Sequence, residues 1–120
     1  MTTQEQREAL ERALWHINNN WCQGMYFRTS VKHGMRHVSC CAKGAIAQTL
    51  SVRPSDLNRS ESAVELISKL EIAAYQTIRE QRGKPVELFT QACPIAYVND
   101  QLGLKAVKRM YAIAIQSCKS

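Results

Sequence analysis

Between Asn20 and Cys41 the helical pattern of this chain stops, and that interruption limits the possible folds more than any other feature. Upstream of it, Leu10, Ala13, Leu14 and Ile17 recur at the period of a helix with one buried stripe. Thr2 or Thr3, followed three residues later by Glu5 or Gln6, has the capping-box spacing that starts such a helix. Asn18-Asn19-Asn20 ends it, because asparagine favours turns and left-handed backbone over helix interiors. Then Tyr26, Phe27, Thr29 and Val31 favour a strand, and Lys32-His33-Gly34 supplies a turn with a glycine for positive φ. A returning strand runs through Met35 to Ser39, and alternation puts Tyr26, Arg28, Ser30 and Lys32 on one basic, solvated face.

Helical spacing resumes at Cys41 with Ala42, Ala45, Ile46 and Leu50, and Arg53-Pro54-Ser55-Asp56 breaks it. A third and longest helix is expected from Ser60 or Ser62, where Ser62 and Glu65 make a second capping box. Its buried face is read as Val64, Ile67, Leu70, Ala74 and Ile78, and Gly83-Lys84-Pro85 closes it. A short fourth helix, Val86 to Ala92, ends before Pro94. After Asn99-Asp100, which read as a cap or turn, a last helix from about Leu104 buries Val107, Met110, Tyr111 and Ala114. Trp15 is placed at the edge of the core, and Trp21 as a plug that anchors the hairpin. The expectation is a mainly α single domain over residues 1–120: about five helices, with a small β-hairpin between the first and second.

The chain resembles an uncharacterised family of small bacterial and phage proteins with three short signatures in a fixed order. Trp21-Cys22-Gln23-Gly24 matches the first, Cys41-Ala42-Lys43-Gly44-Ala45 the second, and Asn99-Asp100 the third. Such proteins usually place tryptophan directly before Asn-Asp, where this chain has Val98 after Tyr97. The resemblance carries no activity. It implies an architecture, a site location, and the role of an accessory protein that binds and disables a host factor.

Charge narrows the partner. The formal net charge is +6, and the 44 residues from Arg12 to Ser55 contain no carboxylate but include Arg12, Arg28, Lys32, Arg36, Lys43 and Arg53. The chain after Asp100 is also acid-free and carries Lys105, Lys108 and Arg109. Charge segregated in this way suits an acidic protein surface, an anionic ligand or nucleic acid. Tyr26 and Phe27 beside the cations of the hairpin are the mixture that single-strand binders use. No apolar run approaches the roughly 20 residues of a membrane span, and the polar start Met1-Thr2-Thr3-Gln4 lacks a signal-peptide pattern. Five cysteines, an odd number, fit a reducing compartment, so a cytoplasmic location is expected, that of the bacterial host if the protein is phage-encoded.

Three chemistries compete for the boundary residues. Cys41 at a helix N-terminus would have its thiolate favoured by the dipole, with His33 or His37 as base and Asn99 or Asp100 orienting it, giving a cysteine-dependent hydrolase. Cys22, His33, His37, Cys40 and Cys41 outnumber the four ligands of a structural zinc site but lack its paired short spacing. The favoured expectation needs neither: a non-enzymatic binding protein without cofactor or metal, using Trp21, Gly24, Arg28, Lys32, Arg36, Lys43, Gly44, Asn99, Lys105, Lys108 and Arg109. In it, Gly24 and Gly44 let backbone amides approach an anionic ligand. The three signatures are expected to meet in space, since all sit at element boundaries.

Overall fold

The computed structural model describes residues 1–32, 34–82 and 93–118, and only the backbone of Lys32, Met35, Arg36, His37 and Arg82. Helix α1, Thr3–Asn19, begins at the expected capping box: Thr2 Oγ1 accepts from the Glu5 amide (3.1 Å) and Glu5 Oε1 accepts from the Thr2 amide (2.9 Å). Asn20 leaves helical geometry, and the chain enters a two-stranded antiparallel hairpin of β1, Phe27–Lys32, and β2, Met35–Cys40. Phe27 pairs with Cys40 at its base and Lys32 with Met35 at its tip, next to Gly34 at φ +75°. His33, at the expected turn, lies outside the described residues.

Helix α2, Ala42–Leu50, stops at Ser51 in left-handed geometry, and Pro54–Asp56 forms a 3₁₀ turn. Helix α3 spans Glu61–Arg82. Its cap is Ser60, whose Oγ accepts from the Ala63 amide at 3.3 Å, rather than Ser62. Glu65 is engaged elsewhere: it takes the Met1 amino group and Gln6, across to the start of α1. The buried face of α3 keeps Leu70, Ala74 and Ile78 of the expected stripe and departs from it at the start. Ala63, Leu66, Leu70, Ala73, Ala74, Thr77 and Ile78 are buried, whereas Val64 is 45% exposed and Ile67 only half-buried. Trp15, expected at the core edge, is also exposed.

The expected helix Val86–Ala92 and the closing Gly83-Lys84-Pro85 lie outside the described residues. Pro94 starts a helix, as suits a residue with fixed φ and no N–H to satisfy in a first turn. This short helix α4, Pro94–Tyr97, widens into a π-helical turn over Val98–Leu102. The turn closes through the Gly103 amide on the Val98 carbonyl (3.1 Å), and Gly103 at φ +92° breaks it before α5, Leu104–Gln116. Helices α1, α3 and α5 pack on one another and on α2 around one core that includes Leu10, Ile17, Ile46, Leu70, Met110 and Tyr111. The expected mainly α fold with a hairpin between its first two helices is the observed one. No described helix is long and apolar enough to cross a membrane.

Candidate functional site

The site is built where the hairpin returns to α2. The Tyr26 carbonyl accepts from the Cys41 amide at 3.0 Å and lies so close to α2 that a Cβ on Gly44 would collide with it. Gly44 is therefore required by close approach of backbone to backbone. Cys41 caps α2, its Sγ accepting from the Gly44 amide at 3.4 Å. Alongside, Trp21 bridges to Cys40: the Cys22 amide donates to the Cys40 carbonyl (2.9 Å) and the Cys40 amide to the Asn20 carbonyl (2.6 Å).

Asn99 ties these pieces together. Asn99 is buried, and so is Thr77, which is satisfied within its own helix by the Ala73 carbonyl. Asn99 Oδ1 accepts from Trp21 Nε1 and from the Ala42 amide, both at 2.9 Å. Its Nδ2 donates to the Cys22 carbonyl (3.2 Å) and to Asp100 Oδ1 (2.9 Å). A carboxamide has two acceptor and two donor positions, and here all four are filled. Asp100 Oδ1 also accepts from the Gly24 amide at 2.8 Å, with Gly24 at φ +78°. In the π turn the Asn99 and Asp100 carbonyls accept from Gln23 Nε2, at 3.5 and 3.3 Å. From below, the buried Tyr111 hydroxyl donates to the Ala42 carbonyl at 2.6 Å.

The three signatures thus converge, but the glycine amides do not face a ligand. Gly24 gives its amide to Asp100 and Gly44 to Cys41, so the amides expected to receive an anion are taken within the chain. Asn99 and Asp100 do not cap α5 either; they are held in the π turn that precedes it.

A cleft of about 290 Å³ opens beside this junction, walled by Met25, Tyr26, Ile95 and Ala96, with Cys41, Lys43 and Asp100 on its polar side. Cys41 is half-buried there, and its thiol sits above its ordinary range. Burial is the main cause and the Asp100 carboxylate adds to it, against the opposing pull of the Gly44 and Lys43 amides. Desolvation outweighs the helix dipole, and the nucleophile expected from sequence is a neutral thiol at neutral pH. Burial likewise raises Cys22, and with the neighbouring Cys41 and Cys22 it pushes Cys40 up to about 12. All five cysteines are free.

His37 pairs with Ser30 in mid-strand, four residues from Cys41, or about 13 Å at strand rise. Its side chain and all of His33 lie outside the described residues, so the base of the proposed hydrolase set is not placed. Among the described residues no three His, Cys, Asp or Glu side chains group as metal ligands. Of the expected cations, Arg28 is exposed and its guanidinium meets the Gln23 carbonyl at 3.4 Å. Lys32 and Arg36 are placed by register, opposite Met35 and Val31. Lys105 and Lys108 are exposed on α5, but Arg109 is held by two hydrogen bonds, at 3.1 and 2.9 Å, to Glu80. Sequence reasoning missed the cleft walls Met25, Ile95 and Ala96, and the role of Tyr111. A phenol inside an apolar stripe was the available sign, since a buried hydroxyl needs an acceptor.

The chain belongs to a family of unknown function, DUF6197, whose model matches residues 1–116. No curated protein and no solved structure matches it significantly.

Proposed function

We propose that this member of the family is a non-enzymatic binding protein that holds an acidic protein surface through its carboxylate-free hairpin and Lys43. One observation carries the proposal. Arg7, Arg53, Arg59 and Arg109 each have a carboxylate partner, whereas Arg28, like Arg12 and Arg79 on their helices, has none among the described residues, and Arg28 alone of these three lies on the hairpin. With no acid from Arg12 to Ser55, the potential over this arm attracts anions and speeds encounter with them. The hairpin base is fixed by the Asn99 junction, so ordering the arm adds little entropic cost on binding. Arg109 drops out of the expected set because Glu80 neutralises it.

In its finer form the proposal is an accessory protein, of bacterial or phage origin, that covers and inhibits a host factor in the cytoplasm. What supports it is the likeness to small phage-linked proteins and a set of free thiols that suits a reducing compartment. The test is capture from a bacterial lysate. An acidic protein should be retained at low salt and released as the Debye length falls from about 10 Å to about 3 Å between 0.1 and 1 M. Reversal of Arg28 and Lys32 together should release it, and reversal of Arg79 and Arg82 should not. Retention that ignores both salt and the hairpin reversals would overturn the proposal. Capture of nucleic acid, with a log–log salt slope near the number of phosphates contacted, would replace it.

A further inference from the structure

The hairpin does not account for two hollows on the face where it joins α2. Tyr26 and Lys43 line both. The first is the cleft of about 290 Å³ already described, apolar through Met25, Ile95 and Ala96, with Asp100 at its side. The second, about 450 Å³, lies beyond Tyr26 between the 3₁₀ turn and α3, where Leu57, Val64 and Ile67 are its apolar lining and Glu71 its carboxylate. Two hollows that share a wall form a groove with a central ridge. Tyr26 is held on that ridge by the Cys41 amide and by the missing side chain of Gly44. Lys43 is half-buried there and has no carboxylate partner among the described residues, although Asp100 and Glu71 line the hollows on either side.

We infer that this groove receives an extended peptide segment of the acidic partner, with one carboxylate over Lys43 and an apolar side chain in each hollow. The inference rests on the acidic-partner proposal above and adds a sequence requirement to it. Alternate residues of a strand face the same way, so an extended segment that places i and i+4 in the two hollows leaves i+2 over the ridge. The motif is therefore apolar-x-acidic-x-apolar. Asp100 and Glu71 repel further carboxylates at the outer positions, so a continuous acidic run should bind worse than a single acid between apolar residues. Burying two apolar side chains supplies the affinity, and the Lys43 pair sets the register.

The probe is the capped peptide Gly-Leu-Ser-Glu-Ser-Leu-Gly, titrated into the full chain while the amide resonances are followed by NMR. Shifts should appear at Lys43, Gly44 and Ile67. The peptide with Gln in place of Glu should bind about tenfold more weakly, the loss of one charge-assisted hydrogen bond, and an all-Glu peptide more weakly than the single-Glu one. Lys43→Gln should abolish the preference for Glu over Gln. Val64→Glu, at an exposed position that leaves the core intact, should block the second hollow and weaken binding of the Leu-Ser-Glu-Ser-Leu peptide. Equal affinity for the Glu and Gln peptides, preference for the all-Glu peptide, or no shift at these amides would overturn the inference. Arg28→Glu separates it from the proposal it rests on. If capture of the acidic protein depends on Arg28 and Lys43 but not on Val64, the hairpin reading stands and the groove reading fails. If it depends on none of the three, both fail.

Discussion

At its base the hairpin is part of the protein's interior: Cys40 is fully buried, Phe27 packs on the core, and Asn99 ties the adjoining chain to the Trp21 indole and to α2. A few residues further out, Val31 is 73% exposed and Val38 41%. The same two strands thus serve as core at one end and as an unsupported arm at the other. An isolated two-stranded hairpin is marginal in water, so the order of the outer half is derived from the inner half. Stability and contact with a partner are thereby assigned to different halves of one element, and a substitution in one should leave the other's task intact.

The sharpest way to break this division is Asn99→Leu. It removes four hydrogen bonds and orphans the Ala42 amide, the Trp21 indole N–H and the Cys22 carbonyl. We expect a loss of at least about 3 kcal/mol, at one or more per orphaned group, read by denaturant unfolding. A loss under about 1 kcal/mol would mean that water replaces the carboxamide and that the junction is not rigid.

Gly44→Ala comes next. In a helix interior this change ordinarily stabilises by up to about 1 kcal/mol. Here the added Cβ meets the Tyr26 carbonyl and stands 3.3 Å from the Cys40 Cβ, so we expect a net destabilisation of about 2 kcal/mol. Neutral or improved stability would show that Tyr26 moves freely against α2.

Alkaline pH probes the same end more gently. The folded-state Cys40 thiol is pushed up from 9.0 to about 12, so in this range the unfolded chain ionises first. The contribution is present below pH 9, and it is lost progressively as pH rises toward 12. The slope of unfolding free energy against pH should flatten in Cys40→Ala, whatever that variant costs at neutral pH. An unchanged slope would assign the alkaline loss to the other groups raised by burial, Cys22, Cys41 and Tyr111. The smallest effect belongs to the arm: Val31→Ser should change stability by no more than about 0.5 kcal/mol, with thermal melting as the check.

The parts of this molecule that were legible in the sequence are those set by neighbours in the chain. The Thr2–Glu5 box, the asparagine stop, the turn at Gly34 and the α5 stripe all depend on contacts within a few residues. Leu70, Ala74 and Ile78 of the α3 stripe are buried as expected, but its start at Val64 and Ile67 and its cap were misread, since Ser60 and Ser62 both offer caps and Glu65 is claimed by Met1 and Gln6 from the other end of the chain. At the site, sequence marks residues at element boundaries but cannot show that one carboxamide joins segments 78 positions apart. Nor could it weigh burial against the helix dipole at Cys41, since desolvation depends on what packs over the thiol. The groove was invisible for the same reason: Tyr26 and Val64 line one hollow only because the Tyr26 backbone lies against α2 and α2 packs on α3.

The contrast between the two tryptophans gives the protein an optical consequence. Trp15 is 59% exposed, in edge contact with the His16 ring, whereas Trp21 is partly buried with its indole N–H bound to Asn99. The first should emit like an indole in water and be quenched readily by acrylamide; the second should emit further to the blue and resist quenching. A Trp15→Phe variant would leave a single fluorophore attached to the junction itself, so loosening there could be followed in real time, without a label, before the rest of the chain unfolds.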